Sequence, residues 1–409
     1  MEPITAVVLG AGSRGSIYAA YAKEHPEELR IVAIAEPRKD RLDALAEDVG
    51  VAADRRFLDW KDLLALPKFA DCAFVCTLDD DHTAPALRAM ELGYHILLEK
   101  PMSNTEAECK AVVEAATRTN RSLAVCHVLR YTPFYMTLKA VIEKGEIGEV
   151  TTINQIENVG YWHQAHSFVR GNWRSSKETS PMILQKSCHD MDIILWLMGK
   201  KCQRVQSFGS LRHFSLENAP AGAPERCLDN CPHAETCPYY APKLYMDMNR
   251  TQWPVDVITT DLSYEGRKKA LQEGPYGRCV YHCDNDVVDR QVVNLEFEGG
   301  AVATFTMTGL SADFSRQLKI FGTKGQITAD MGTKVIVLQR FGEEKQTIPV
   351  DMGTESSGHG GGDYGIMRDF LAVLRDGGES RTSAAVSLQS HLICFAAERS
   401  RKENIVVTL

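Results

Sequence analysis

"ITAVVLGAGSRGSIYAAYAKEH", Ile4 to His25, is the stretch whose reading decides the fold. An apolar run reads as a buried strand, a glycine-rich turn follows, and a helical pattern comes next. The turn is G-x-G-x-x-G at Gly10, Gly12 and Gly15. The first glycine allows a tight turn, the second lets backbone approach a pyrophosphate, and the third lets helix pack on strand. The helix then aims its N-terminal dipole at the phosphates. A second strand, "LRIVAIAE", ends on Glu36, 21 residues beyond Gly15. An acid there accepts hydrogen bonds from a ribose diol and repels a 2′-phosphate. NAD is therefore expected rather than NADP, with Arg38 and Arg41 close enough to argue for a phosphate.

Outward from this unit, strand and helix alternate. "DCAFVCT", "YHILLEK" and "SLAVCHVLR" read as strands. "TAPALRAMELG" reads as a helix ending at Gly93, and "TEAECKAVVEAATRTN" as a helix capped by Thr105. Such alternation implies a doubly wound parallel sheet with helices on both faces, and ligands bind at the carboxyl ends of its strands. Thr77, His82 and Glu99-Lys100-Pro101 stand at those ends. With Ser13 and Arg14 of the turn, Thr77, His82, Glu99 and Lys100 join the three glycines, Glu36 and Arg38 as expected cofactor contacts. A lysine held before a proline is rigidly aimed, and X-Pro is where a cis bond is accessible.

Length and composition set the frame. The chain has 409 residues, 24% charged and 44% apolar, with a net charge of -8. That suits two or three globular domains and argues against nucleic-acid binding, which calls for a basic patch. No apolar run reaches the roughly 18–20 residues of a membrane helix. "MEPITAVVLG" enters a strand pattern at once, without the parts of a signal peptide. A reducing, cytoplasmic location is expected, with the twelve cysteines as thiols or metal ligands.

"MILQKSCHDMDIILWLMG", Met182 to Gly199, reads as a buried helix that carries too many polar groups. Gln185, His189 and Asp192 follow i, i+4, i+7 and would share one face, with Lys186 at its margin. Asp190 falls further round and reads as a solvated or paired surface acid. Ile194, Leu195, Leu197 and Met198 read as core, and Gly199 as the stop. The polar face can point at a nicotinamide, with Gln185, Lys186 and Asp192 as expected substrate contacts. His189 has the intrinsic pKa of a base for an alcohol proton, and Lys100 can stabilise the developing alkoxide.

The combination of "VVLGAGSRGS", "CTLDDDHTAPALRAMELGYHILLEKPMSNT" and "LRYTPFYMTLKAVIEKGEIGEV" resembles the Gfo/Idh/MocA oxidoreductases. The resemblance implies a Rossmann domain over 1–130 and a substrate domain over 131–409 with a large, mostly antiparallel sheet. It also implies a nicotinamide cofactor between them and a homo-oligomer, dimer or tetramer. The family's active helix reads Asp-x-Gly-x-His-x-x-Asp. His189 and Asp192 match it, whereas Gln185 replaces the first Asp.

Beyond this lie strand patterns and two irregular stretches. "DRQVVNLEFEGGAVATFTMTGL" holds two alternating runs joined by Gly299-Gly300, a hairpin signal. "YWHQAHSFVRGNWRSSKETS", Tyr161 to Ser180, reads as a loop whose His163, His166 and Arg170 would contact a sugar. His359, in "GHGGGDYGIMRDF", would reach the same pocket. A cysteine-rich insertion, about 225–285, carries Cys227, Cys231 and Cys237, with Cys279 and Cys283 downstream. The first three and one of the later pair, taken as Cys283, suggest a four-thiolate site. A structural zinc is the expected occupant, with an iron–sulfur cluster as the other option.

The sequence thus reads as an NAD-dependent oxidoreductase acting on a sugar, polyol or glycoside hydroxyl through Lys100 and His189. An NAD-dependent glycoside hydrolase that oxidises its substrate transiently and recycles the cofactor is the alternative.

Overall fold

The computed structural model describes residues 2–352 and 358–409. The first sheet has six parallel strands: β1 (Ile4–Leu9), β2 (Leu29–Ala35), β3 (Arg56–Phe57), β4 (Cys72–Val75), β5 (His95–Leu98) and β6 (Leu123–Val125). Their order is β3-β2-β1-β4-β5-β6, so the winding reverses between β1 and β4. These strands are apolar on both faces because both are covered. Val8, Ile34 and Phe74 pack into one layer, and Val7, Ala33 and Val75 into the other. The Glu106–Thr119 helix starts where its sequence says, with the Glu108 N–H donating to the Thr105 hydroxyl. The Thr83–Leu92 helix ends on Gly93 at φ 94°.

The second sheet has nine strands: β7 (Val150–Asn158), β8 (Cys202–Ser210), β9 (Arg290–Phe297), β10 (Val302–Thr308), β11 (Ser315–Gly322), β12 (Gly325–Asp330), β13 (Val335–Arg340), β14 (Gln346–Ile348) and β15 (Val407–Thr408). Their order is β14-β13-β12-β11-β7-β10-β9-β8-β15. Neighbours run antiparallel except β7 and β10. The protein is α/β, with a parallel Rossmann-like unit followed by a large, mostly antiparallel sheet. Gly299 and Gly300, at φ 76° and 77°, turn β9 into β10. Alternate residues such as Ile153, Leu295, Phe305 and Ile320 bury one sheet face against Met191, Ile194 and Ile393 of two helices, Cys188–Met198 and Ala384–Glu403.

Two segments depart from the sequence reading. The first half of Tyr161–Ser180 is not a loop: Tyr161–His163 is helical and Gln164–Arg170 forms a π-helical stretch that is buried throughout, whereas 171–180 is irregular and partly exposed. The C-terminal helices also turn back onto the first sheet. Tyr364, Met367 and Phe370 of the Gly362–Asp376 helix complete the layer of Val8 and Phe74. No described helix is long and apolar enough to cross a membrane.

Candidate active site

The glycine turn lies at the reversal point of the first sheet. A Cβ on Gly10 would meet the Cys76 carbonyl oxygen at 2.4 Å, and one on Gly15 would meet the Gly10 carbonyl oxygen at 2.0 Å. Both glycines are required by the protein itself. Gly12 is not: the nearest atom to its Cβ would be Arg41 Nη1 at 3.9 Å. Its open side is the space a pyrophosphate would take. The Ser13–Glu24 helix begins there with no side-chain cap and no acid in its first turn, which leaves its N–H groups for an anion. Glu36 is buried and accepts the Ala11 N–H (2.8 Å) and the Arg38 N–H (3.0 Å). The Arg38 guanidinium pairs with Asp40 at 2.7 Å rather than waiting for a phosphate. The cradle and its acid fit a dinucleotide.

Several expected cofactor contacts are occupied by protein. Arg14 Nε donates to Glu99 (2.7 Å) and its Nη2 to Asp363 (2.6 Å). Burial works against a charged Asp363, but Arg14 and His359 outweigh it and hold its pKa well down. Arg14 and Glu99 therefore tie the glycine turn to the strand end and to the C-terminal helix. Thr77 donates its hydroxyl to the Asp81 carbonyl (2.8 Å). The buried His82 ring lies 2.6 Å from the Pro101 carbonyl oxygen and 3.1 Å from that of Thr77, which fixes the loops around it. Ser13 remains exposed at the start of its helix.

At the tip of β5, Lys100 precedes a cis peptide bond to Pro101. Its Nζ donates to the Gln185 carbonyl oxygen at 2.7 Å. That places the lysine against the Met182–Met198 region, but through backbone and not through the Gln185 side chain. The single helix expected there is broken: one turn, Met182–Gln185, is followed by Lys186 and Ser187, and a second helix runs from Cys188 to Met198. His189 begins that second helix. It is buried, and its Nδ1 has no hydrogen-bond partner. Its ring centroid is 5.7 Å from His127 and 6.1 Å from His359. Burial, then the charge of Lys100, pushes its pKa well below the usual histidine value, so it stands as a neutral imidazole.

The other polar residues of this segment are spoken for. Asp192 is not open to a ligand: its two oxygens take Nε and Nη2 of Arg130 at 2.6 and 2.7 Å, fully inside the protein. Asp190 is not a surface acid. It is buried, bonded to Arg316 Nε at 2.8 Å and to Gln155. Lys186 lies 3.2 Å from Glu157, which also takes Arg316. Burial is the largest influence on both acids of this network. Arg316 and Lys186 override it for Glu157 and hold it ionised, whereas Asp190 takes a proton more readily. These pairings arise because a buried charge must find a partner, and sequence spacing does not reveal partners on other elements.

The three substrate candidates of Tyr161–Ser180 separate. His163 is buried among Trp162, Trp253 and Phe314, its Nδ1 unpartnered, and the charge of Lys186 reaches it. His166 instead faces the insertion, bonded to the Tyr245 hydroxyl (2.8 Å) and stacked on Tyr276 at 4.8 Å. Arg170 is buried and donates to the carbonyl oxygens of Arg278 and Tyr239, both at 2.7 Å. His166 and Arg170 thus organise the insertion and are not free for a sugar.

The cysteines also differ from expectation. Cys227, Cys231, Cys237 and Cys279 line one cavity. Cys283 does not; its thiol donates to the Cys279 carbonyl (3.3 Å). Among the described residues, no three cysteine sulfurs lie within 4.8 Å of one another. A tetrahedral zinc, with Zn–S near 2.3 Å, needs thiolates about 3.8 Å apart. The cavity groups Cys279, and not Cys283, with the first three cysteines.

Sequence reasoning missed His127, Arg130 and Asp79. His127 follows β6, buried and edge-on to His189. The strand-end rule that singled out Lys100 applies to it equally. Asp79 accepts the Trp173 indole N–H (3.1 Å) and keeps a second oxygen buried without a partner.

Residues 4–127 match the family model described as oxidoreductase family, NAD-binding Rossmann fold, and residues 139–409 match that of its C-terminal alpha/beta domain. YteT of Bacillus subtilis, itself named an oxidoreductase only provisionally, is 25% identical over 320 residues, 74% of this chain and 72% of its own length. Inositol 2-dehydrogenase 2 of Saccharopolyspora erythraea is 31% identical over 133 residues, 32% of this chain and 36% of its own length. Several further curated relatives are matched over about half of their length. A levoglucosan dehydrogenase solved with NADH and L-sorbose superposes with a TM-score of 0.74 at 19% identity, covering 100% of this chain and 99% of that one, which is a likeness of fold.

Proposed function

This chain belongs to the Gfo/Idh/MocA oxidoreductase family, and on that premise we propose that it is an NAD-dependent dehydrogenase of a sugar or polyol hydroxyl, with Lys100 and His189 at the reacting carbon. One observation carries the reading. A strand-end lysine reaches the segment that bears a buried, neutral histidine with a free ring nitrogen. A neutral imidazole can take the proton of an alcohol, and a nearby ammonium stabilises the oxygen as it becomes negative. The relatives named for inositol and levoglucosan oxidation support the polyhydroxylated substrate class.

Gly10, Gly12, Gly15 and Glu36 would hold the dinucleotide, with the Ser13–Glu24 helix N-terminus at its phosphates. Glu36 and the paired Arg38 favour NAD over NADP. When bound, the nicotinamide supplies the hydride acceptor. Lys100 and His189 would orient the hydroxyl and His189 would receive its proton, while the Trp162, Trp253 and Phe314 cluster around His163 offers apolar faces to a sugar ring. The division near residue 130 separates these two tasks. Self-association is part of the same proposal: the outer face of the large sheet exposes Ile156, Phe208, Val292 and Val302.

The test is a plate assay with NAD and a panel of free sugars, polyols and aryl glycosides, reading NADH and aglycone together. NADH rising with substrate consumed supports the dehydrogenase. Aglycone release with flat NADH replaces it with the glycoside-cleaving alternative.

A further inference from the structure

We infer that the cysteine-rich insertion holds a four-iron iron–sulfur cluster on Cys227, Cys231, Cys237 and Cys279, with Cys283 outside the ligand set. The insertion has little else to keep it folded. Its long connection from β8 to β9 contains short helices, the helix Tyr264–Glu273 and two small apolar clusters. Each of these clusters includes one of the cavity's cysteines, Cys279 in one and Cys227 in the other. A loop-rich unit of this kind needs a staple.

The backbone brings the ligands together. Arg226 and Arg278 form an isolated antiparallel bridge. Next to it, Cys227 N–H donates to the Gly277 carbonyl (2.9 Å) and Cys279 N–H to that of Glu225 (2.8 Å). Cys231 and Cys237 complete the cavity wall, each followed by a proline. Among the described residues no three cysteine sulfurs lie within 4.8 Å of one another, a wider spread than the roughly 3.8 Å around a tetrahedral zinc. A cubane cluster spreads its four thiolates to roughly 6 Å, with the iron and sulfide filling the space between.

Charge points the same way. Arg170 is 1% exposed and makes no ion pair among the described residues. Its Nη2 faces the Cys227 sulfur at 3.7 Å. A buried guanidinium calls for a negative partner, and four thiolates around a cluster supply one. The Ala241 N–H also donates to the Cys227 sulfur, at 3.4 Å. N–H groups aimed at ligand sulfur are the contacts that stabilise such clusters. Each thiol gives up its proton on binding iron. The cluster would hold the insertion to the π-helical stretch that directly follows His163, through Arg170 at its end.

The experiment is anaerobic purification of the full chain, followed by iron, acid-labile sulfide and zinc analysis. An aliquot is also treated with ferrous iron and sulfide. About four iron and four sulfide per chain are expected, with a broad visible charge-transfer band. Cys279→Ser should lose iron and sulfide several-fold, and Cys283→Ser should keep both. One zinc per chain without sulfide overturns the proposal. So does a chain that stays free of iron and sulfide after the treatment, or one that holds two of each. Loss in Cys283→Ser with retention in Cys279→Ser overturns the ligand set. If the Cys279→Ser chain does not fold, the iron and sulfide of the unsubstituted protein still decide.

Discussion

At the residue scale, a polar side chain is defined by what it meets inside the fold. His189 and Asp192 lie three positions apart, yet one keeps a free nitrogen and the other is locked to Arg130. Lys100→Met and His189→Ala should each lower kcat by about 10²–10⁴ while the Kd for NAD stays the same. Steady-state kinetics with NAD titration by fluorescence checks this, and near-normal turnover in either variant removes its role. Asp192→Asn should behave differently. It leaves the buried Arg130 without its counter-charge, which costs about 3–5 kcal/mol of stability. A denaturant midpoint would show the loss. Unchanged stability with a raised KM would return Asp192 to the substrate.

At the element scale, the glycine turn makes a sharper prediction than any single contact. Gly15→Ala puts a methyl group against the Gly10 backbone and should destabilise the first domain. Gly12→Ala meets nothing closer than 3.9 Å in the protein. It should therefore leave the Tm within about 2 °C and weaken NAD binding at least roughly tenfold, since only the ligand needs that space. Melting curves with and without NAD separate the two. Equal loss of stability in both would mean that the turn is not shaped for a ligand. The strand ends, caps and hairpin were legible because each depends on neighbours in sequence. The break at Lys186-Ser187 was not, because it accompanies contacts to Glu157 on β7.

At the scale of the whole molecule, the fold buries a set of neutral histidines. Burial is the largest cause of the lowered pKa of His127, His163, His166, His189 and His391, with His166 and His391 at about 3. The unfolded chain binds those protons near pH 6.5 and the folded chain does not. Stability from these groups is therefore complete above pH 6.5 and is lost as pH falls toward their folded values. Each can cost up to about 2 kcal/mol by pH 5. The Tm should drop between pH 7 and pH 5, with Asp190, whose carboxyl pKa burial pushes up, taking a proton as the pH falls and offsetting part of the loss. A flat Tm over that range would mean these histidines are hydrated or paired in solution.

The sequence by itself determined the two-part α/β architecture, the dinucleotide turn with Glu36, and Lys100 and His189 as the reactive candidates. These rest on period, glycine placement and strand ends, all local properties of the chain. Only the tertiary structure decided that Arg14 and Glu99 hold each other, that Asp190, Asp192 and Lys186 are paired, and that His166 and Arg170 serve the insertion. It also moved the fourth cavity cysteine from Cys283 to Cys279. The physical reason is common to all of these. A charge or thiol taken out of water must find its partner in space, and that partner stands on an element distant in sequence.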